Sequence, residues 1–302
     1  MKFLLLIMTN DKNNLILLTN NEIDELSNFI FSIGAHGHRD WPNNQKIISK
    51  IIANFHNCSS FEIYLLKNKS NILGYTLIEE EEKINRIIVS IGAKKIEYTK
   101  FLIDKMLKIY SKRKVYKSKN IHVPIHQKTS LNNIDLNYLK LRKVRKYLKM
   151  NTKIENTIIS SSHKTLILKE IVKENEIQEF TNTKNRIFNT HWGFAPNTIN
   201  DFNHEDFNFL LILNGNKIAG FLTLSILGEK DHMLGKISMI GIDEEFRKKG
   251  IGKLALENGI SILKQKGVVE VILDVDSENR SAISIYKKFN FYKTGEIIWW
   301  EK

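Results

Sequence analysis

The chain has 302 residues, 42% hydrophobic and 26% charged, with a formal charge of +13. That length suits two domains of about 150 residues each. The apolar fraction, with 3 Pro and 15 Gly, excludes a wholly disordered or collagen-like chain, and the single cysteine, Cys58, excludes an internal disulfide.

The N-terminal apolar run, Phe3 to Met8, is shorter than the core of a secretory signal and is followed by Thr9, Asn10 and Asp11. No stretch approaches the roughly 20 apolar residues of a membrane span. A soluble, cytoplasmic protein is expected. Leu15–Thr19 then reads as a strand and Asn21–Ile33 as a helix. Phe61 to Leu77 reads as strand, polar turn, strand. Arg86–Ile91 is an apolar strand, Tyr98–Tyr110 a helical pattern and Ile121–Pro124 a short strand. A closing helix that takes in Val144 is expected after it.

Lys105 to Lys153 holds fifteen basic residues and one acid, Asp135. Residues 1–160 carry 27 Lys/Arg against 14 Asp/Glu, whereas 161–302 carry 19 of each, so the first half holds the whole excess. Such a segment attracts polyanions. No nucleic-acid motif accompanies it, so a Lys-rich solvated surface is the expectation and a nucleic-acid partner is not.

After a polar junction at Asn156–His163, with Ser160 to Ser162 as connector, the same order of elements recurs. Thr165–Ile171 is a strand and Glu174–Thr190 a helix. A second hairpin, Phe207–Leu224, turns at Asn214-Gly215-Asn216. Ile218-Ala-Gly220-Phe221 lines up without gaps on Ile72-Leu-Gly74-Tyr75. Lys236–Ile242, Gly252–Lys266 and Val268–Val275 complete the repeat as strand, helix and strand. The expectation is a tandem duplication of one α/β unit, with domains at 1–160 and 161–302.

The chemistry sits in the second copy. Ile237 to Ile242 runs straight into Arg247-Lys248-Lys249-Gly250-Ile251-Gly252-Lys253, which opens a helix. Amides at such a turn point outward, the helix dipole adds about half a positive charge, and glycine lets a phosphate approach. The turn lacks the Gly-x-x-x-x-Gly-Lys-Ser/Thr run and the three-glycine dinucleotide spacing. A nucleoside triphosphatase or nicotinamide enzyme is therefore disfavoured.

Leu273-Asp-Val-Asp-Ser-Glu-Asn279 then leads from a strand into a short helix carrying Tyr286 and ending at Lys288-Phe-Asn290-Phe291. With Arg247-x-x-Gly250-x-Gly252, this resembles the GNAT superfamily of N-acetyltransferases over about residues 164–302. The resemblance implies an α/β (α+β) fold of two tandem units, each a mixed, mostly antiparallel central sheet flanked by helices. It implies acetyl-CoA as cosubstrate and no metal. Ile240, Gly241 and Ile242 become the strand edge that pairs with the pantetheine arm. Arg247, Lys248, Lys249, Gly250, Ile251, Gly252 and Lys253 become the pyrophosphate turn. Asn279 becomes a cofactor contact or a plain helix cap, and Tyr286 the general acid or a packed aromatic. Asn290 stands where the family commonly has Gly, and Asn tolerates the left-handed conformation. His191, Trp192 and Phe194, with Trp299 and Trp300, are candidates for the acceptor pocket. Trp192 and Phe194 equally suit a core seal between helices. For a general base only Asp274, His191 and His232 present themselves.

In the first half the equivalent turn reads Ile91-Gly-Ala-Lys94-Lys95-Ile96-Glu97. Ile96 and Glu97 fill the space a phosphate needs, so this copy is expected to be a degenerate unit. The leading function is acetyl transfer from acetyl-CoA to the primary amine of a small molecule. The alternatives are an acyl- or aminoacyl-transferase working with a carrier protein or tRNA, and a non-catalytic acyl-CoA sensor.

Overall fold

Alternating apolar residues build strands and 3.6-period stripes build helices, in the expected order except at two places described below. A computed structural model describes residues 7–8, 13–34, 36–69, 71–113, 119–127, 135–157, 166–171, 174–201, 208–227 and 233–302. The chain divides into two units, one of residues 1–147 with 295–302 and one of 148–294.

In the first unit, β1 (Ile7–Met8), β2 (Asn13–Leu17), β3 (Phe61–Asn68), β4 (Asn71–Glu81) and β5 (Arg86–Ala93) form an antiparallel run. β6 (Asn120–Gln127) joins β5 in parallel. Helices α1 (Ile23–Ile33) and α2 (Gln45–Asn57) pack on each other, and α3 (Ile96–Lys112) connects β5 to β6. The α3 stripe Leu102, Ile103, Met106, Leu107 and Tyr110 is buried against Ile87, Val89, Val123 and Ile125 of the sheet. The expected order did not include α2, although Ile47, Ile48, Ile51, Ile52 and Phe55 carry helical spacing behind an Asn44 cap.

β7 (Arg142–Lys153) stands where the closing helix of the first copy was expected, so Val144 lies on a strand. The inward residues of its second half, Leu148 and Met150, have period two, and both pack in the second unit's core. That unit orders its strands as β7, β12, β11, β10, β9, β8, comprising β8 (Leu166–Glu170), β9 (Asn208–Asn214), β10 (Lys217–Leu227), β11 (Leu234–Ile242) and β12 (Glu270–Asp276). β11 and β12 are parallel, while β8 to β11 run antiparallel. α4 (Glu174–Phe188) packs over β9, β10 and β11. α5 (Ile251–Gln265) packs on β10 and β11, and its Ala255, Leu256, Ile260 and Leu263 are buried. α6 (Arg280–Lys288) follows β12.

The last strand, β13 (Tyr292–Glu301), pairs antiparallel with β6 from Glu296 to Glu301. Compared with the expected division at residue 160, residues 148–157 group with the second unit and 295–302 with the first. Trp299 and Trp300, expected beside the second copy's acceptor pocket, accordingly belong to the first unit. Trp300 and Ile298 lie in the core under α3, and Trp299 meets the His38 and His122 rings at 5.3 and 6.2 Å.

Trp300 is 1% exposed in that core. Trp300→Ala should destabilise the first unit by about 3–5 kcal/mol, read by urea unfolding and by faster hydrogen exchange at β6 amides. Unchanged β6 protection would mean that the last strand does not complete this sheet.

Candidate functional site

The second unit's site begins where two parallel strands part. β11 and β12 pair only from Leu234↔Glu270 to Ile237↔Leu273. β11 runs on to Ile242 and β12 to Asp276. Beyond the last pair, among the described residues, no β12 residue pairs with β11 from Ser238 to Ile242, and Arg247 Nε occupies the Ile242 carbonyl. That is an open edge able to take an extended ligand in strand-like hydrogen bonds. Ile240, Gly241 and Ile242 lie on it.

Two glycines allow the opposite side of β11 to close tightly. Gly220 and Phe221 of β10 face Ile242 and Gly241. A Cβ on Gly220 would collide with the Gly241 carbonyl. One on Gly241 would sit 2.6 Å from the Phe221 ring and 2.9 Å from both Ile187 and Phe188 of α4.

After β11 the chain makes a 3₁₀ turn at Glu244–Phe246 that buries Phe246, and Arg247 Nε donates to the Ile242 carbonyl at 3.0 Å. Lys248 (φ +62°) and Gly250 (φ +83°) are left-handed. Helix α5 starts immediately, and its ladder begins with Leu254 N–H donating to the Gly250 carbonyl at 3.2 Å. The N–H groups of Ile251, Gly252 and Lys253 precede that ladder and have no intrahelical acceptor. Nothing lies within 4 Å of where a Gly250 Cβ would be, and a Gly252 Cβ would only touch Ile242 and Ile285. Three amides without an intrahelical acceptor, a helix dipole and open space at Gly250 coincide with the basic residues Arg247, Lys248, Lys249 and Lys253 of the same turn. That is an anion cradle.

The remaining expected residues are distributed as follows. Asn279 caps α6, its Oδ1 accepting from Ala282 N–H at 3.1 Å and Ser281 Oγ at 3.0 Å. Tyr286 is 7% exposed, packs beside Phe291 at 5.8 Å, and burial pushes its phenol up to about 12. Asn290 is left-handed at φ +60° and donates to the Asn156 carbonyl. His191 is exposed, with its ring 5.2 Å from Phe188, and Phe194 lies 5.9 Å from the same ring. Trp192 is half-buried between them in sequence, before Gly193 at φ +69°. The Asp274 carboxylate is held by Lys149 Nζ at 2.9 Å and Lys236 Nζ at 3.7 Å. His232 lies outside the described residues.

Sequence reasoning missed two features. Arg186 of α4 forks onto Asp243 Oδ2 at 2.9 and 2.6 Å, tying the helix to the chain just past β11. Lys184 sits half-buried on the sheet-facing stripe of α4, where burial outweighs the pull of Asp201 and lowers its pKa to about 8. An Asp or Glu on β11 would have announced a base, but Lys184 gives no such signal because helix stripes are read from apolar residues. Among the described residues no cluster of metal-ligating side chains is present, and no helix is long and apolar enough to cross a membrane.

The family model described as "Acetyltransferase (GNAT) family" matches residues 172–291. Residues 172–291 form a GNAT domain. The parted strands, the basic glycine turn and α6 all fall within this GNAT segment. A mycothiol acetyltransferase of Thermobifida fusca is 26% identical over 128 residues, covering 38% of this chain and 40% of that protein. A ribosomal protein bS18-alanine N-acetyltransferase of Escherichia coli is 31% identical over 84 residues, covering 28% and 53%. This chain thus spans less than two thirds of the length of those relatives. Two solved structures share the fold over nearly the whole chain. A GCN5-related N-acetyltransferase from Sphaerobacter thermophilus has TM-score 0.72 and 12% identity, covering 98% of this chain and 96% of its own. A tandem GNAT protein from the clavulanic acid biosynthesis pathway has TM-score 0.69 and 9% identity, covering 96% and 98%. Over nearly its whole length the chain thus shares the fold of these two structures.

The glycines of the GNAT segment differ in what they tolerate. Gly250→Ala meets open space and pays only for the left-handed backbone, about 1 kcal/mol. Gly220→Ala forces β10 from β11 and should destabilise by roughly 3 kcal/mol. Chemical denaturation of the two variants tests this, and the opposite order would contradict the described β10–β11 register.

Proposed function

We propose that the second unit transfers an acetyl group from acetyl-CoA to the primary amine of a small molecule, by direct attack in a ternary complex. The observation that carries this reading is the parting of β11 from β12 directly before an open, basic helix start. The residues present fit the cosubstrate. The free edge at Ile240, Gly241 and Ile242 suits an amide-containing arm. The turn from Arg247 to Lys253 suits its diphosphate, because the bare amides and cations gain most against a dense negative charge. Asn279, which caps α6, is the proposed side-chain contact to the cosubstrate. The amine attacks the thioester carbonyl, which places its developing negative charge toward the β11 backbone.

Tyr286 is the proposed proton donor to the departing sulfur. With its phenol pushed up to about 12, the proton stays on the oxygen throughout the physiological range. A thiolate is the weaker base by roughly three units, so the contribution is a donated hydrogen bond as negative charge grows on sulfur, completed with solvent. Asp274, held by Lys149 and Lys236, and His191 are the proposed acceptors of the amine's proton among the described residues. His191, Trp192 and Phe194, gathered at the end of α4, supply the acceptor side.

The first copy supports the second rather than repeating its chemistry. Its α3 starts at Lys95 with an extended backbone, Ile96 packs against the core, and Lys94 lies over the Phe29 ring at 5.5 Å. No glycine clears that turn.

Gly250→Asp should abolish acetyl-CoA binding in a calorimetric titration, because it sets a carboxylate against the phosphates, while Gly250→Ala should bind. Undiminished binding by the Asp variant would remove the site assignment. Tyr286→Phe should lower kcat about a hundredfold with acetyl-CoA affinity unchanged, measured by thiol release with an amine panel. Since burial keeps the phenol protonated to about 12, the wild-type rate should show no falling limb near pH 10 from this group. Such a limb, absent in Tyr286→Phe, would mean the hydroxyl titrates as if solvated.

A further inference from the structure

Helix α4 presents one unexpected side chain to the sheet. Its inward stripe comprises Phe180, Thr181, Thr183, Lys184, Ile187 and Phe188, with Gln178, Glu179, Asn182 and Arg186 outside. Lys184 is four residues from both Phe180 and Phe188, and both rings pack on Phe221 at 5.4 and 5.5 Å. Phe221 is the cross-strand neighbour of Gly241, on the free β11 edge. Lys184 therefore lies about 6 Å along the helix axis from the residue that abuts that edge.

The segment after the helix folds back beside it. Asn185 Nδ2 donates to the Asn197 carbonyl, and Asn197 N–H donates to Asn185 Oδ1, both at 2.9 Å. This pair of hydrogen bonds holds the Ile199–Asp201 turn against α4, with the Asp201 charge felt at Lys184. Phe188, His191 and Phe194 close the same corner. The Lys184 amine, which feels the Asp201 charge, thus belongs to the end of α4 that this turn packs against, one helical turn before Phe188.

We propose that Lys184 is an internal acyl acceptor, modified on its ε-amine by an acetyl thioester bound in the same unit. This rests on the acetyl-transfer reading. The neutral amine's lone pair attacks the thioester carbonyl carbon, the N–C bond forms, and the C–S bond breaks with its electron pair going to sulfur. The proton lost by nitrogen is taken up by the sulfur, so amine and thioester become amide and thiol. Two effects favour the step. Burial holds the pKa of Lys184 near 8, leaving a usable neutral fraction at neutral pH, and a tethered nucleophile has a high effective concentration. The amide product removes a cation from a half-buried position, which relieves its desolvation cost and reshapes the acceptor corner.

The test incubates the full chain with acetyl-CoA and follows intact mass and peptide maps, beside a calorimetric titration with the same compound. One acetyl group is expected on Lys184, at a rate independent of protein concentration. From about pH 7 to about pH 8.5 the rate should rise roughly eightfold, against roughly thirtyfold for a lysine of ordinary pKa. Lys184→Arg, which keeps the charge, should lose the mark. Gly250→Asp should slow it at least tenfold. Acetyl-CoA binding without a mark on Lys184 overturns this proposal and leaves the acetyl-transfer reading intact. A mark formed equally fast in Gly250→Asp also overturns it, as chemistry from solution. Absence of binding removes the acetyl-transfer reading, and this proposal with it.

Discussion

The organisation of the second unit depends on two parallel strands that stop hydrogen bonding partway along their length. An interior strand with an unpaired edge is costly, because each desolvated amide and carbonyl lacks a partner. Here the cost is limited to Ser238–Ile242, and the surroundings keep it in place. Phe221, Ile187 and Phe188 close over Gly241 from one side, and the Asp243 N–H donates to the Ala219 carbonyl at 2.9 Å just past the strand. The Arg186–Asp243 pair fastens α4 at the same point. The open edge is thus rigidly supported, which is what preorganised recognition requires.

The first unit repeats this design with different chemistry. Its parallel pair β5–β6 also ends early, at Ile88↔His122. Gly92 faces Tyr75 as Gly241 faces Phe221. Where Phe188 meets Phe221 in one copy, His36 hydrogen-bonds the Tyr75 hydroxyl in the other, with Trp41 stacked on His36 at 6.0 Å. Two residues on, His38 Nδ1 and Ser90 Oγ are 2.8 Å apart. The same backbone frame therefore carries a polar, histidine-rich centre in the first copy and an aromatic centre in the second. Only the second joins its centre to a glycine-cleared helix start. Backbone geometry is shared between the copies, and the residues of the turn differ.

Burial explains the placement of the titratable groups. Tyr286 is enclosed by core residues and keeps its proton, whereas Asp274 is half-buried between the Lys149 and Lys236 side chains. Lys184 is driven the other way because α4 turns it inward. Burial thus moves the phenol up and the amine down, each toward its neutral form.

Much of this was legible in the residues alone. The strand-to-turn transition at Ile242–Lys253, the Asn279 cap, the left-handed Asn290 and the gapless match of Gly74-Tyr75 with Gly220-Phe221 are local matters. Glycine at positive φ, a side chain that caps its own helix and apolar periodicity need no distant partner to be read. The tertiary structure alone decided the rest. Val144 lies on a strand because strand pairing determines the state of a basic, alternating segment that local spacing leaves open. Trp299 and Trp300 serve the first unit because the final strand finds its partner in β6, and pairing partners are not encoded in spacing. Lys184 turned inward because a helix stripe is defined by what packs on it, and here that is a sheet built from residues more than twenty positions away.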